Sequence, residues 1–228
     1  MSIILQIETA TTVCSVALVK NGETIAVKEL NERNIHAEVI TLYIEELIAN
    51  NGLKYDDIDA IAVSSGPGSY TGLRIGVSTA KGLCFALDKP LIAVETLESM
   101  SQGIIAQNQI EAGTLLCPMI DARRMEVYTA LFDAQGNIVK PTSAEIIDQQ
   151  SFAEQLQFHK ILFFGDGAEK CRAILGSNAN AQFNTAFINS ASHLTQKAAE
   201  KYAAGQFEDV AYFEPFYLKD FLVGQKKN

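Results

Sequence analysis

The sequence has 228 residues, of which 48% are hydrophobic and 20% charged, as in an ordinary globular protein. This length accommodates one large domain or two small ones, each with an ample core. A formal net charge of −9 argues against a free-standing nucleic-acid binder, because such a protein needs a basic face to displace counterions from phosphates.

The cysteines and the N-terminus indicate the cellular compartment of the protein. Cys14, Cys84, Cys117 and Cys171 are widely spaced and form no Cys-x-x-Cys pair, which predicts buried, reduced thiols. The N-terminus lacks a basic region, and no apolar stretch is long enough to span a bilayer. The sequence therefore predicts a cytoplasmic protein without membrane contact.

The first half of the chain alternates strands and helices. Asn21-Gly22 joins the second and third strands as a two-residue hairpin. Asn51-Gly52 ends the first helix. The predicted strands are 3–7, 13–19, 24–29, 58–63 and 91–94, and the predicted helices are 35–50, 70–87 and 95–106.

The second half begins again with strands after a polar segment at 107–113. Its predicted strands are 114–120, 124–132, 160–164 and 185–188, and its helices lie near 151–157, up to about 175, and at 192–204. The similar order in both halves predicts two related α/β lobes, 1–107 and 108–228. The last helix or tail is expected to pack back on the first lobe.

The stretch 64–76 predicts a strand, a tight turn and a helix start. Pro67 and Gly68 suit a type II turn in which Gly68 takes a positive φ, and Ser69 or Thr71 can cap the helix. Such a turn is either an anion cradle or a sharp connection whose glycines permit close packing. The stretch matches neither a P-loop nor a dinucleotide fingerprint. The turn Gly165-Asp166-Gly167 leaves the same two alternatives open.

The two long helices of the first half carry wide apolar surfaces. Apolar residues of the first cover close to half of its circumference, and only Arg74 and Lys81 are charged between residues 70 and 87. Gly72 and Gly76 lie one turn apart and permit close approach of another backbone. These helices are interpreted either as core elements or as a surface for a partner.

Three segments, 7–11, 64–76 and 121–128, together resemble the TsaB/YeaZ family of bacterial tRNA threonylcarbamoyladenosine biosynthesis proteins. The resemblance implies two actin-like ATPase lobes of the ASKHA, ribonuclease H-like type, with mixed sheets flanked by helices. It also implies a non-catalytic paralogue of TsaD that pairs with TsaD through the first-lobe helices, joins TsaE, and forms a homodimer through the same surface. Contact with tRNA is expected only through the complex.

The resemblance also assigns candidate residues. No catalytic or metal-binding residue is predicted, and ATP or ADP is expected only at an interface of the complex. The predicted partner interface comprises Val39, Tyr43, Ile44, Leu47, Tyr70, Leu73, Gly76 and Val77. The predicted vestigial phosphate loop comprises Glu8, Thr9, Gly66, Gly68, Ser69 and Thr71.

Two positions depart from the pattern of active relatives. TsaD carries two metal-binding histidines four residues apart on the first long helix, whereas His36 is followed at that spacing by Ile40. Active members of the fold carry an aspartate after the first strand that works with the nucleotide's magnesium, where this chain has Glu8. His36 is therefore interpreted as a residue of the helix N-terminus.

Three charged residues at a strand end, Asp121, Arg123 and Glu126, admit a catalytic interpretation, and an ion-paired strand end is favoured. Two further functions remain as alternatives to the partner subunit. One is an ATP-dependent phosphotransferase of the sugar-kinase type. The other, a metalloprotease, requires a metal cage that the sequence does not provide.

Overall fold

The structure is a computed structural model and describes residues 2–107 and 109–219. The first sheet has the strand order β3-β2-β1-β4-β5. Its strands are β1 Ile3–Glu8, β2 Val13–Lys20, β3 Glu23–Asn31, β4 Ala60–Ser64 and β5 Leu91–Val94. The helices in this part of the chain are α1 His36–Asn50, α2 Tyr70–Leu87 and α3 Thr96–Gln107, with a 3-10 turn at Tyr55–Asp57.

The second sheet has the order β10-β9-β6-β7-β8. Its strands are β6 Leu115–Asp121, β7 Glu126–Phe132, β8 Ile138–Ile146, β9 Ile161–Phe164 and β10 Ala181–Asn184. The remaining helices are α4 Ala153–Phe158, α5 Ala168–Leu175 and α6 Thr195–Ala203, the last preceded by a 3-10 turn at Ala191–Leu194.

The two sheets repeat one topology. In each, three antiparallel strands are followed by two strands parallel to the first, with a helix before each of these two. The two related α/β lobes with mixed sheets that the sequence predicts are therefore confirmed. Asn21 and Gly22 have φ of 52° and 82°, which confirms the two-residue hairpin between β2 and β3.

The central strands of the first sheet are apolar throughout because both faces are covered. Alternate residues of β1, β2 and β4 form one face of the sheet. Residues from α1 and α2, among them Ile40, Ile44 and Val77, pack on this face. Leu194 and Ala198 pack on the other face against Ile4 and its neighbours. All four cysteines are buried and free, as predicted.

The last helix of each half packs on the sheet of the other half. Leu97, Met100 and Ile104 of α3 contact residues of β6 and β7, whereas α6 lies against the first sheet. This exchange joins the lobes through two buried apolar contacts. Residue 108, where the predicted second lobe begins, and residues 220–228 lie outside the described residues.

Two elements of the second half differ from the sequence prediction. Strand β8 was missed because it is an edge strand without fully buried residues that contains Pro141 and lacks strict alternation. The strand predicted at 185–188 lies at Ala181–Asn184 instead, and Phe187 packs in a loop against Phe164 and His193. Among the described helices, none combines the length and apolar character needed to cross a membrane.

Candidate functional site

The glycine turn between β4 and α2 differs from the predicted geometry. Gly66, and not Gly68, takes the positive φ, at 112°, and the Gly66–Pro67 peptide is cis. The type II prediction is therefore wrong. Gly68 is required for space, because a Cβ there would lie 2.5 Å from the carbonyl oxygen of Ala10. Ser69 is confirmed as the helix cap, since its Oγ accepts a hydrogen bond from the Gly72 N–H at 3.2 Å.

Three N–H groups of this turn donate to acceptors within the chain. The Ser65 N–H donates to the Val94 carbonyl at 2.8 Å, and the Gly66 N–H donates to Thr96 Oγ1 at 3.2 Å. The Ser69 N–H donates to the carbonyl of Ala10 at 2.7 Å. These three donors are therefore not available to a phosphate. The turn therefore resembles a phosphate loop in shape, while these three N–H groups stabilise the fold.

Glu8 lies at the end of β1, beside this turn, and is completely buried. Its Oε1 accepts a hydrogen bond from the Ala10 N–H at 2.6 Å. Burial raises the pKa of Glu8 to about 7, although the nearby polar groups of Ala10, Ser64 and Asn189 oppose the rise. A magnesium ligand needs an ionised, accessible carboxylate, so Glu8 fits that role poorly.

Several buried polar atoms surround Glu8 without a hydrogen-bond partner among the described residues. They are Glu8 Oε2 itself, Ser64 Oγ and Asn189 Nδ2. The side chains of Ser64 and Asn189 are close enough to influence the Glu8 carboxyl. Such a group suits a buried water molecule, which bonds to about three polar atoms that the fold leaves unsatisfied.

A cleft of about 310 Å³, counted to its open mouth, separates the turn after β1 from the turn after β9. Gly165 and Asp166 line its second side. The Gly167 N–H donates to the Met119 carbonyl at 3.0 Å, and Asp166 Oδ1 accepts from the Asp121 N–H at 3.0 Å. These contacts favour the plain-turn alternative for residues 165–167.

The charged cluster at the end of β6 is an ion-paired strand end. Asp121 pairs with Lys170, and Glu126 pairs with Lys219 from the C-terminal segment. Arg123 contributes its backbone N–H to Asp121 Oδ1 at 2.8 Å. The favoured interpretation is confirmed for the two acids, although their partners are lysines and not Arg123.

His36 is the first residue of α1 and is buried. Its Nε2 lies 3.0 Å from the Thr11 carbonyl oxygen and 3.1 Å from that of Val13. This nitrogen therefore acts as a donor to the turn after β1 and is not presented to a metal. Among the described residues, no group of three His, Cys, Asp or Glu side chains is placed to hold a metal ion.

Most residues of the predicted partner interface lie inside the chain's own core. Ile44, Leu47, Leu73, Gly76 and Val77 are buried, and this part of the prediction is wrong about their exposure. The reason is that the apolar arc of α1 packs on both the sheet and α2, and these two contacts account for its width. The other three predicted residues, Val39, Tyr43 and Tyr70, are half-buried.

The exposed surface of α2 is instead a stripe on its outer face, which we call the α2 stripe. It consists of Thr71, Arg74, Ser78, Gly82 and Phe85, spaced at three or four residues, and Arg74 is the one charged residue among these five. Phe85 is 87% exposed and Leu42 of neighbouring α1 is 53% exposed. The spacing of these residues in the sequence indicates an outer face. The sequence prediction instead emphasised Gly72 and Gly76, which lie on the opposite, buried face of α2.

Comparison with known proteins gives consistent matches. The family model described as TsaD, tRNA N6-adenosine threonylcarbamoyltransferase, matches residues 29–211. The tRNA threonylcarbamoyladenosine biosynthesis protein TsaB of Escherichia coli K12 is 32% identical over 98% of this chain and 97% of its own length. The TsaB of Haemophilus influenzae is 41% identical, over 55% of this chain and about half of that protein, 51%.

Solved structures give the same fold. YeaZ from Pseudomonas aeruginosa superposes with a TM-score of 0.78 at 27% identity, covering 96% of this chain and 100% of that one. A P. aeruginosa protein described as uncharacterized with similarity to peptidase YEAZ gives a TM-score of 0.83 at 26% identity and the same coverage.

Proposed function

The chain belongs to the TsaB/YeaZ family of tRNA threonylcarbamoyladenosine biosynthesis proteins, and from this premise we propose that it is a non-catalytic partner that binds and activates TsaD. In this proposal TsaE joins the complex, and tRNA reaches the chain only through it. The product is threonylcarbamoyladenosine at position 37 of tRNAs that read codons beginning with A. In this proposal, the modification of tRNA takes place in the cytoplasm.

The observation that carries the proposal is the α2 stripe. A surface helix of a monomer normally presents several charged residues to water, whereas the five outward positions here carry one charge, on Arg74, and end in a nearly fully exposed phenylalanine. Small residues in the middle of the stripe, Ser78 and Gly82, permit a second helix to approach closely. A Cβ on Gly82 would meet no other atom within 4 Å.

The match to the TsaD family model supports the identity of the partner. Two related proteins that share a fold can pair through equivalent helices. In this proposal, α1 and α2 of this chain would contact the corresponding helices of TsaD. A homodimer would use the same surface, and TsaD would then compete with self-association. We propose that the chain has no cofactor of its own, because three of its turn donors are engaged and Glu8 is buried.

Binding to purified TsaD tests the proposal directly. We expect isothermal titration calorimetry to show a one-to-one complex and Phe85→Glu to weaken it at least 100-fold, because the charge would be buried on binding. The matched control is Phe158→Glu on α4, where the phenylalanine is 71% exposed on the other lobe. No complex with the unaltered chain, or equal weakening by both variants, would contradict the proposal.

Activity and nucleotide binding separate the remaining alternatives. Threonylcarbamoylation by TsaD with TsaE and ATP should rise on addition of the chain, and Phe85→Glu should abolish the rise. The sugar-kinase alternative instead requires tight ATP binding by the isolated chain, which calorimetry measures. Stoichiometric ATP binding without TsaD would support a phosphotransferase and contradict our assignment.

A further inference from the structure

The last described segment, residues 208–219, crosses the first lobe and ends on the second. It begins at the edge of the first sheet, where the Glu208 N–H donates to the Leu91 carbonyl at 2.9 Å. It then runs along α2 and over the glycine turn. It ends where Lys219 pairs with Glu126 of the second lobe. We call this segment the strap.

The inner half of the strap, residues 208–213, is held firmly. Lys81 of α2 donates to the carbonyls of Ala211 and Phe213, at 3.2 and 2.9 Å. Asp209 Oδ1 accepts from the N–H groups of Ala211 and Tyr212. The side chains of Val210 and Phe213 pack against the first core. Backbone hydrogen bonds, polar side-chain contacts and apolar packing therefore all hold the inner half on the first lobe.

Among the described residues, the outer half, residues 216–219, makes one backbone hydrogen bond to the first lobe, and its other contacts are made by side chains. The Phe216 N–H donates to the Ser65 carbonyl at 2.7 Å, and the Tyr217 ring lies 4.9 Å from that of Tyr70. The hydrogen bond from Arg74 Nε to Tyr217 Oη is long, at 3.4 Å. The terminal ion pair is partly exposed, and salt screens such pairs.

The outer half covers the glycine turn between β4 and α2. A Cβ on Gly66 would lie 2.5 Å from the Phe216 carbonyl oxygen, so the strap lies directly on the glycine turn. Pro67, Gly68 and Tyr70 form one wall of a cleft of about 240 Å³, counted to its open mouth. The opposite wall is made by residues 216–219 and by Tyr128 of the second lobe.

We propose that the strap is a latch whose inner half stays fixed while its outer half opens. Opening uncovers the glycine turn, frees β7 from its ion pair to the strap, and exposes more of Tyr70 beside the start of the α2 stripe. Local opening of this kind occurs where few contacts hold a segment and its hydrogen bonds face solvent. The latch is independent of the proposed partner and is a property of the chain alone.

Two amides of the strap provide a matched pair for the test. The N–H groups of Glu208 and Phe216 both donate to carbonyls of the first lobe, at 2.9 and 2.7 Å. In hydrogen exchange measured by NMR on the full chain, we expect the Phe216 amide to exchange at least tenfold faster. Raising NaCl from 0.05 to 0.5 M should increase this difference, because it screens the pair between Lys219 and Glu126.

Two substitutions in the strap complete the test. Tyr217→Ala should accelerate exchange at Phe216 at least fivefold, leave Glu208 unchanged, and shift the amide resonances of Gly66 and Gly68. The control Tyr212→Ala alters an 84% exposed ring in the same segment and should change none of these. Equal exchange at Phe216 and Glu208, or unchanged Gly66 and Gly68 resonances in Tyr217→Ala, would overturn the latch.

Discussion

Gly72 of α2 lies against the carbonyl oxygen of Thr9, so closely that a Cβ on Gly72 would be 2.1 Å from that oxygen. One turn further, a Cβ on Gly76 would be 2.2 Å from Thr9 Oγ1. The glycine face of α2 is therefore packed on the turn after β1 of the same chain. The backbone that these glycines admit belongs to the molecule itself and not to a partner.

This contact predicts opposite effects for two glycines on one helix. Gly72→Ala should lower the free energy of unfolding by about 3 kcal/mol, because a backbone carbonyl cannot move away as a side chain can. Gly82→Ala should raise it by about 0.5–1 kcal/mol, since alanine favours the helix and the site is open. Urea unfolding of both variants measures the difference, and equal effects would contradict the inward orientation.

The fold was largely predictable because its strands carry strong local signals. The runs 3–7, 13–19, 58–63 and 91–94 are apolar and bounded by turn residues, and each matches a strand to within two residues at either end. Strand β8 was missed because this edge strand has no fully buried residue and no long apolar run to mark it. The exchange of α3 and α6 between lobes depends on contacts distant in sequence, which periodicity does not contain.

The candidate site was less predictable for the same physical reason. A wide apolar arc on α1 indicates burial but does not say what covers it, and in the structure α2 and the sheet cover Ile44 and Leu47. Similarly, the glycine turn has the residues of an anion cradle. Three of its N–H donors bond to Val94, Thr96 and Ala10, which lie 29 to 59 residues away along the chain. No pattern in the sequence indicates these pairings.

His36 provides a second stability prediction. Its ring ties the start of α1 to the carbonyls of Thr11 and Val13, so His36→Ala should lower the free energy of unfolding by about 2 kcal/mol. The control is His159→Ala, which removes a single exposed contact to the Gly113 carbonyl and should cost about 0.5 kcal/mol or less. Chemical denaturation distinguishes them. A stability of the unaltered chain that depends on added zinc would contradict the donor role of His36.

His193 predicts a loss of stability in acid. Burial lowers the pKa of His193 to about 4, and its ring stacks on Phe187. The unfolded chain takes up this proton near pH 6.5, before the folded chain does, so stability falls as pH decreases from about 6.5 to about 4. His193→Phe keeps the stacked ring and removes the titration. Its stability relative to the unaltered chain should therefore improve on acidification, by about 3 kcal/mol over this range.

Glu8 predicts the opposite dependence over nearly the same range. Its pKa is raised from 4.5 to about 7, so the unfolded chain loses this proton first, and stability falls as pH rises through this interval. Glu8→Gln keeps an acceptor for the Ala10 N–H and cannot ionise. It should match the unaltered chain near pH 4 and be more stable by about 3 kcal/mol at pH 8, at roughly 1.36 kcal/mol per pKa unit.

The two buried groups therefore oppose each other in the unaltered chain between pH 4.5 and 6.5. Their contributions to the pH slope of stability have opposite signs and similar size, so urea titrations of the unaltered chain should show little change there. Each single variant should unmask the slope of the other group, rising with pH in Glu8→Gln and falling with pH in His193→Phe. Exposed Glu154→Gln is the control. Single variants whose slopes match that of the unaltered chain would show that neither group is held in the predicted protonation state.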